Sequence, residues 1–389
     1  MDPEGFAWLL TDSGQALLAA ATDLRDVDPL AAGETLRARG YDGAHVAAAM
    51  TQVELRGRAR PKFGPDAERM YFTPDGLEQA TRLPVARHRA ARLVAAGEQT
   101  LIDLGCGIGG DLIAAAEAGL TVAGVDLDEV RVAVARANLT ALGLGGAVTV
   151  ADATELDLRP FDVAFADPAR RGPAGRSFRA ADWTPPWPFV EELLHRDACV
   201  KVAPGIPHGI IPGDVEAEWV SDHGEVKEAA LWAGRLAVVR RRATVLANGG
   251  LATLTDEDDT TDIVLAMDRF LYEPDGAVIR AGLVGAVAAG VGGGLIDAKI
   301  AYVTASDPFT TPFARGYEVL EELPYREKQL KAALRERRIG RLTIKKRGVE
   351  VVPEQLRRRL ALAGDEEATI VLTRADGEGR CWSVRPIAA

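Results

Sequence analysis

Apolar residues change their period along these 389 residues. Up to about residue 95 they recur every three or four positions. Leu9, Leu10, Ala16, Leu17, Leu18 and Leu24 come first, then Leu36, Val46, Ala49, Met50 and Val53. That spacing lines one side of a helix. Thr11, Asp12 and Ser13 offer caps, Asp42-Gly43 marks a break, and the basic, proline-broken Arg58–Gly64 interrupts the pattern again. Beyond Phe72, Thr73 or Asp75 with Pro74 starts a helix predicted to reach about Val94. Residues 1–95 therefore read as a helical N-terminal lobe.

From Gly97 short apolar runs alternate with helical stretches. Strands are predicted at Thr100–Leu104, Val122–Val125, Val148–Val150, Phe161–Ala166, Ala198–Val202, Val215–Val220 and Leu236–Leu246. Helices fall over Leu112–Gly119, Val130–Leu142 and Pro188–Leu194. This alternation predicts an α/β domain over 96–248, a doubly wound sheet of about seven strands with ligands at the strands' carboxyl ends. A boundary near Asn248-Gly249-Gly250 leads to a second α/β unit, residues 260–389. It should hold a glycine-rich helix at Ile279–Ile296 and strands at Ile300–Ala305, Tyr317–Leu323 and Leu342–Lys346. Helices at Glu327–Arg338 and Glu354–Leu362 follow, then a hairpin pairing Thr369–Arg374 with Cys381–Arg385 about Asp376-Gly377.

The candidate chemistry lies at the predicted strand ends. Asp103 opens a glycine-rich turn, Gly105-Cys106-Gly107-Ile108-Gly109, where the amino-acid or phosphate part of a ligand would sit. Asp126 can accept paired hydrogen bonds from a ribose diol. Asp152 can accept from an exocyclic amine such as adenine N6, with the Ala153 N–H near a ring nitrogen. No phosphate-holding lysine follows the turn, which removes the GxxxxGK[ST] reading. NAD(P) stays open as an alternative, since a glycine turn and one acid suffice for it.

This combination resembles the first three motifs of class I S-adenosylmethionine-dependent methyltransferases. The motifs are Asp103–Gly109, Val125-Asp126 and Ala151-Asp152-Ala153. The resemblance implies a Rossmann-like sheet and S-adenosylmethionine held by Thr73, Asp103, Gly105, Cys106, Gly107, Asp126, Leu127, Asp152 and Ala153. Thr73 enters through Phe72-Thr73-Pro74, which looks like a segment closing over the cofactor in guanine-N2 RNA methyltransferases of the trimethylguanosine-synthase type. Asp167-Pro168-Ala169-Arg170-Arg171-Gly172 stands where N-methylating members carry (D/N/S)PP(Y/F/W). That position makes Asp167, Pro168 and Arg170 the candidate catalytic residues, aligning an amine's lone pair with the methyl group. The aromatic is missing, so stacking would fall to an arginine plane or to Trp183 or Trp187. The turn also looks like that of uridine-C5 RNA methyltransferases. Their nucleophilic cysteine has no counterpart here, because Ala203-Pro204 holds the place and Cys199 lies earlier. His208 follows the same strand and could touch a substrate.

The end of the chain resembles THUMP-like domains, through Asp307-Pro308-Phe309, Pro312–Glu318 and Ile344–Gly348. The resemblance implies RNA binding, with Arg171, Lys345, Lys346 and Arg347 as the candidate contacts. Charge fits a localised surface better than a general one. Net charge is −11, yet residues 325–360 hold 13 Lys/Arg against 4 Asp/Glu. A solvated helix face would look the same on charge alone.

Three separated cysteines suggest neither disulfide nor zinc site, and no metal is expected. An acidic start without an export pattern, and no apolar run long enough to span a bilayer, predict a cytoplasmic protein. The expected function is methylation of a base nitrogen in rRNA or tRNA. The alternatives are an NAD(P)-dependent oxidoreductase, a methyltransferase for small molecules or proteins, and a non-catalytic RNA-binding scaffold.

Overall fold

The computed structural model describes residues 3–168, 171–172, 175–176, 185–247 and 250–387, the four at 171–172 and 175–176 by backbone alone. Arg170, Ala169 and Trp183 fall outside the described residues, as does the Arg171 side chain. The chain divides into two compact units. The first is Met1–Val202 with Ala230–Val238, and the second is Ala203–Ala229 with Val239–Ala389.

The first unit opens with α1 (Pro3–Leu9), α2 (Asp12–Asp23), α3 (Pro29–Ala38), α4 (Gly43–Phe63), α5 (Pro74–Gln79) and α6 (Leu83–Ala95). Thr11, Asp28, Asp42 and Thr73 cap α2 to α5 with side-chain oxygens. Two expectations fail here. The Arg58–Gly64 segment does not interrupt the helix: α4 runs through Pro61 and stops at Gly64, whose φ is +61°. The helix predicted from Thr73 to Val94 is two, and Pro84, suited to a first turn, restarts it. Lys62, in the basic segment, donates to the carbonyls of Leu77, Glu78 and Ala80 at 2.7, 2.8 and 2.9 Å and so closes the end of α5.

Then come β1 (Thr100–Leu104), α7 (Gly110–Glu117), β2 (Thr121–Asp126), α8 (Glu129–Leu142), β3 (Ala147–Val150) and β4 (Val163–Ala166). A two-residue hairpin follows, β5 (Arg171–Gly172) and β6 (Gly175–Arg176), then α9 (Trp187–Leu193) and β7 (Ala198–Val202). The large strands stand in the order β3-β2-β1-β4-β7, with β3–β2, β2–β1, β1–β4 and β4–β7 all parallel. All four residues of β4 are buried, as expected for a parallel strand covered on both faces. One core joins Leu17, Leu36, Leu55 and Phe63 of the early helices to Leu101, Val122 and Phe165 of the sheet.

The second unit holds β8 (Glu216–Asp222), part of β9 (Glu225–Ala233), β10 (Arg241–Ala247) and β11 (Gly250–Thr255). β9 and β11 are strands beyond the seven expected, and the strand predicted over Leu236–Leu246 begins only at Arg241. Next are β12 (Phe270–Pro274), α10 (Gly276–Ala281), α11 (Val284–Gly290), β13 (Gly294–Asp297), β14 (Ile300–Ala305) and β15 (Ala314–Leu323). The chain closes with α12 (Glu327–Glu336), β16 (Ile339–Arg347), α13 (Pro353–Leu360), β17 (Glu366–Ala375) and β18 (Glu378–Pro386). The single helix predicted at Ile279–Ile296 is cut by Gly282 and Gly292, at φ +79° and +64°, and its end is strand β13. The hairpin turn does sit at Asp376-Gly377, both left-handed at φ +52° and +78°. Strands β12 to β18 form a seven-stranded sheet, β13-β14-β12-β15-β18-β17-β16. Leu342 and Ile344 of β16 pack with Leu330, Leu334, Leu356 and Leu360 of α12 and α13.

Candidate active site

β1 delivers Asp103 to its carboxyl end and breaks into the glycine loop. Gly105, Gly107 and Gly109 have φ of +108°, +55° and +83°, a region that strains other residues. Gly105 N and Cys106 N both reach Val125 O at 2.9 Å, and Gly107 N donates to Asp126 Oδ2 at 3.0 Å. The loop is thus pinned to the tip of β2. A Cβ built on Gly105 or Gly107 would meet nothing within 4 Å, so both face open space.

The Thr73 segment is fastened beside this loop. Thr73 Oγ1 accepts from Gly76 N at 3.0 Å, and a Cβ added at Gly76 would overlap Ile108 Cγ2. Two fully buried amides hold the approach. Asn138 of α8 accepts from Tyr71 N at 2.7 Å and donates to Tyr71 O and Ile108 O at 3.1 and 2.9 Å. Gln52 of α4 accepts from Phe72 N at 3.0 Å and donates to Phe72 O at 2.7 Å. Sequence patterning did not single out either amide. A polar residue on the apolar face of a helix is the signal that would have found them.

Carboxylates crowd these strand ends. Asp103 is 2% exposed, and its Oδ1 has no hydrogen-bond partner among the described residues. Burial, then the charges of Asp111, Asp167 and Asp126, push its pKa well above the usual carboxylate range, with Arg89 opposing. Asp126 also accepts from Asp128 N at 3.0 Å, and Arg131 lies 3.9 Å away. Leu127 beside it is left 60% exposed. Asp152 stands exposed, with Oδ1 accepting from Thr154 Oγ1 and N at 2.7 and 2.9 Å, and these bonds lower its pKa. Ala153 follows in a short 3-10 turn. Ala151 N bonds Asp126 O at 3.2 Å, which keeps this acid next to the second strand tip. Burial raises the Cys106 thiol far above a nucleophile's range.

Past β4, Pro168 is buried and Asp167 is half-buried. Asp167 Oδ2 accepts from Lys201 Nζ on β7 at 2.5 Å, a partner the sequence reading did not name. Arg89, Thr81 and Asp111 stand behind that pair. Cys199 is wholly buried within β7. In the other unit, His208 Nε2 bonds Arg280 O at 2.8 Å and its ring lies 5.1 Å from that of Trp219.

The basic triplet of the second unit does not share one face. Strand alternation sends Lys345 and Arg347 to one side of β16 and Lys346 to the other. Lys345 Nζ bonds Glu273 Oε2 at 2.5 Å and lies 5.4 Å from the Tyr317 ring centre. Arg347 sits 5.2 Å over Tyr302 and 4.0 Å from Glu273. Both are part-buried, whereas Lys346 is exposed.

The first unit suits a ligand with an ammonium group. An orphaned buried carboxylate oxygen wants a cationic donor, and bare glycines leave room for an apolar chain beside it. The methionine part of S-adenosylmethionine has both features. Among the described residues no group of His, Cys, Asp or Glu could hold a metal, and no helix is long and apolar enough to cross a membrane.

Three families match the chain: a methyltransferase domain at residues 101–169, a THUMP domain-like family at 314–386 and a domain of unknown function at 2–59. Uncharacterized S-adenosylmethionine-dependent methyltransferases of two Mycobacterium tuberculosis strains are each 39% identical over 331 residues, 82% of this chain and 90% of theirs. The crystal structure of a candidate methyltransferase from Porphyromonas gingivalis W83 has a TM-score of 0.75 at 23% identity, covering 96% of this chain and 98% of that one, and shows the same fold. These relatives displace the NAD(P) alternative. The chain belongs to the S-adenosylmethionine-dependent methyltransferases: it is an enzyme, and S-adenosylmethionine is its methyl donor.

Proposed function

We propose that this enzyme methylates a base nitrogen in RNA, rRNA or tRNA. In this reading residues 1–95 are a helical lobe, 96–248 the methyltransferase domain and 260–389 an RNA-binding domain. Bound S-adenosylmethionine supplies an electrophilic methyl group on sulfur. Asp103 would take its ammonium group, Gly105, Cys106 and Gly107 its methionine chain, and Asp126 its ribose hydroxyls. Leu127, Asp152 and Ala153 would face the adenine, and the Thr73 segment would close beside it. Asp167 and the Pro168 carbonyl would accept from the target amine, with Arg170 and Arg171 near the base or a phosphate.

The observation that carries the RNA half is the joining, in one chain, of a methyltransferase domain and a THUMP-like unit that bears exposed cations. Lys345 and Arg347 are engaged with Glu273, so the phosphate contacts are better sought on α12 and α13. Lys328, Lys331 and Arg335 recur at helical spacing on α12, and Lys331 and Arg335 reach the Arg359 and Ala361 carbonyls at 2.7 and 3.3 Å. Lys328, Arg335, Arg357, Arg358 and Lys346 are exposed, and Lys331 is half-buried. Such a ridge suits a phosphate backbone, which is bound by charge rather than by base edges.

The test is nucleoside mass spectrometry of rRNA and tRNA from a deletion strain and its parent. One methylated nucleoside should be missing from the deletion strain and return when its RNA is incubated with the purified enzyme and the methyl donor. Identical nucleoside profiles would remove RNA as the substrate and leave the family assignment standing.

A further inference from the structure

We infer that Lys201 is a positioning residue for Asp167: it holds one carboxylate oxygen so that the other faces the substrate amine. The proposal rests on the reading of Asp167 as the group that accepts from that amine.

A short acidic side chain just beyond a strand end can rotate, and a carboxylate has two equivalent oxygens. Orientation needs a partner. Lys201 supplies it from the neighbouring strand, with Nζ 2.5 Å from Asp167 Oδ2 and only 16% of its side chain exposed. The ammonium is fixed in turn. It lies 3.3 Å from Thr81 Oγ1, whose proton goes to Asp111 Oδ2 at 2.9 Å. Asp111 forms an ion pair with Arg89, which is 3% exposed and lies 4.4 Å above the Phe165 ring. Phe165 is two residues before Asp167 on the same chain segment. The path Arg89–Asp111–Thr81–Lys201–Asp167 therefore begins and ends beside β4, entirely within the first unit.

Charge-assisted bonds of this kind are short and directional. Asp167 Oδ1 has no hydrogen-bond partner among the described residues, and 35% of the side chain is exposed. One oxygen is committed to the protein and the other remains for an N–H donor. The cation also offsets one of four neighbouring carboxylates, Asp103, Asp111, Asp126 and Asp167, beside which a substrate must dock. A lysine that served instead as a general base would have to lose its proton, and an arginine could not replace it. A positioning lysine can be replaced by arginine in part.

The experiment uses the full chain with K201M, K201R and K201Q, tritiated S-adenosylmethionine and total RNA from the deletion strain. Positioning predicts a fall in kcat of about 10²-fold for K201M, unchanged S-adenosylhomocysteine affinity by calorimetry, and substantial recovery in K201R. K201M activity equal to that of the native enzyme overturns the proposal, and so does a K201R as inactive as K201M. If K201M fails to fold by melting, K201Q takes its place with the same expectations. A native enzyme that labels no RNA condemns the RNA reading instead, and an acceptor-free measurement then decides on Lys201. Crystal structures of native protein and K201M should show Asp167 in one orientation in the first and rotated or split in the second. The same single orientation in both would overturn the inference.

Discussion

Replacing Asp103 with Asn removes a charge and almost no volume, and so separates two effects that coincide in the native protein. Without ligand the carboxylate is a burden. It is 2% exposed, its Oδ1 lacks a partner among the described residues, and three other carboxylates act on it. An unsatisfied buried polar atom costs about 1–3 kcal/mol and a charged one more. Taking away the charge should therefore return at least about 1 kcal/mol at a pH above the raised pKa of Asp103, roughly 2–4 °C in Tm. Ligand binding has the opposite sign. An ammonium–carboxylate hydrogen bond contributes about 1.5–3 kcal/mol, so D103N should bind S-adenosylhomocysteine about 10- to 150-fold more weakly. The pH dependence follows from the direction of the shift. The folded pKa of Asp103 lies above its unfolded value, so its contribution to stability is fully present below the ordinary carboxylate range and is lost as pH rises through the raised pKa. The Tm advantage of D103N should accordingly shrink on acidification. Native affinity should fall as pH drops through the same raised pKa, while D103N stays flat. Melting curves and calorimetry over a pH series measure both. A D103N protein that melts lower than native at every pH of the series and binds S-adenosylhomocysteine as tightly as native would refute the reasoning.

Five other variants are informative. Gly105→Ala forces a side chain onto φ +108°, costing roughly 1–2 kcal/mol, and puts a methyl into the open face of the loop. Calorimetry should show lost S-adenosylhomocysteine binding in a protein whose circular dichroism is native. Asn138→Ala strands Tyr71 N, Tyr71 O and Ile108 O inside the protein, and about 3 kcal/mol should appear as a Tm lower by roughly 6–12 °C together with weaker ligand binding. Lys345→Gln should lower the Tm of the second unit because Glu273 loses its closest cation, whereas Lys346→Gln should leave it unchanged. Replacing Lys328, Arg335 and Arg358 with Gln should weaken binding of total tRNA and reduce the salt slope by about 0.7–0.9 per charge removed. Filter binding across a salt series checks this, and an unchanged slope would take the ridge out of the RNA interface.

The acids at the strand tips were legible because each is a local event: an apolar run stops and an acid or glycine follows. Asp103, Asp126, Asp152 and Asp167 all follow that rule, and it survives errors in strand boundaries. What stayed hidden is non-local. Strand β9 begins Glu-Val-Lys-Glu and ends Ala-Ala-Leu-Trp-Ala, which alternates in neither half, and its last six residues are all buried. The glycine-rich stretch after Ile279 carries apolar residues at helical spacing, yet the backbone angles of Gly282 and Gly292 decide its path. Lys345, Lys346 and Arg347 look like one basic cluster in text, but a strand divides them between two faces. The partners of the site acids were the largest omission. Lys201 lies 34 residues from Asp167, and Arg89 lies 22 residues from Asp111. Only the packing of β7 beside β4 and of α6 beside α7 brings them together. Each nonetheless left a trace. Lys201 interrupts the apolar run Cys199-Val200-Lys201-Val202, and Arg89 occupies a buried position of an amphipathic helix. A cation at a position that must be buried needs an anion within reach, because an unpaired buried charge is strongly unfavourable. In a sheet whose strand tips are acidic, those tips are the nearest candidates. Two cations placed at core positions thus point back to the acids of the site, which is the inference the sequence allows once the sheet order is known.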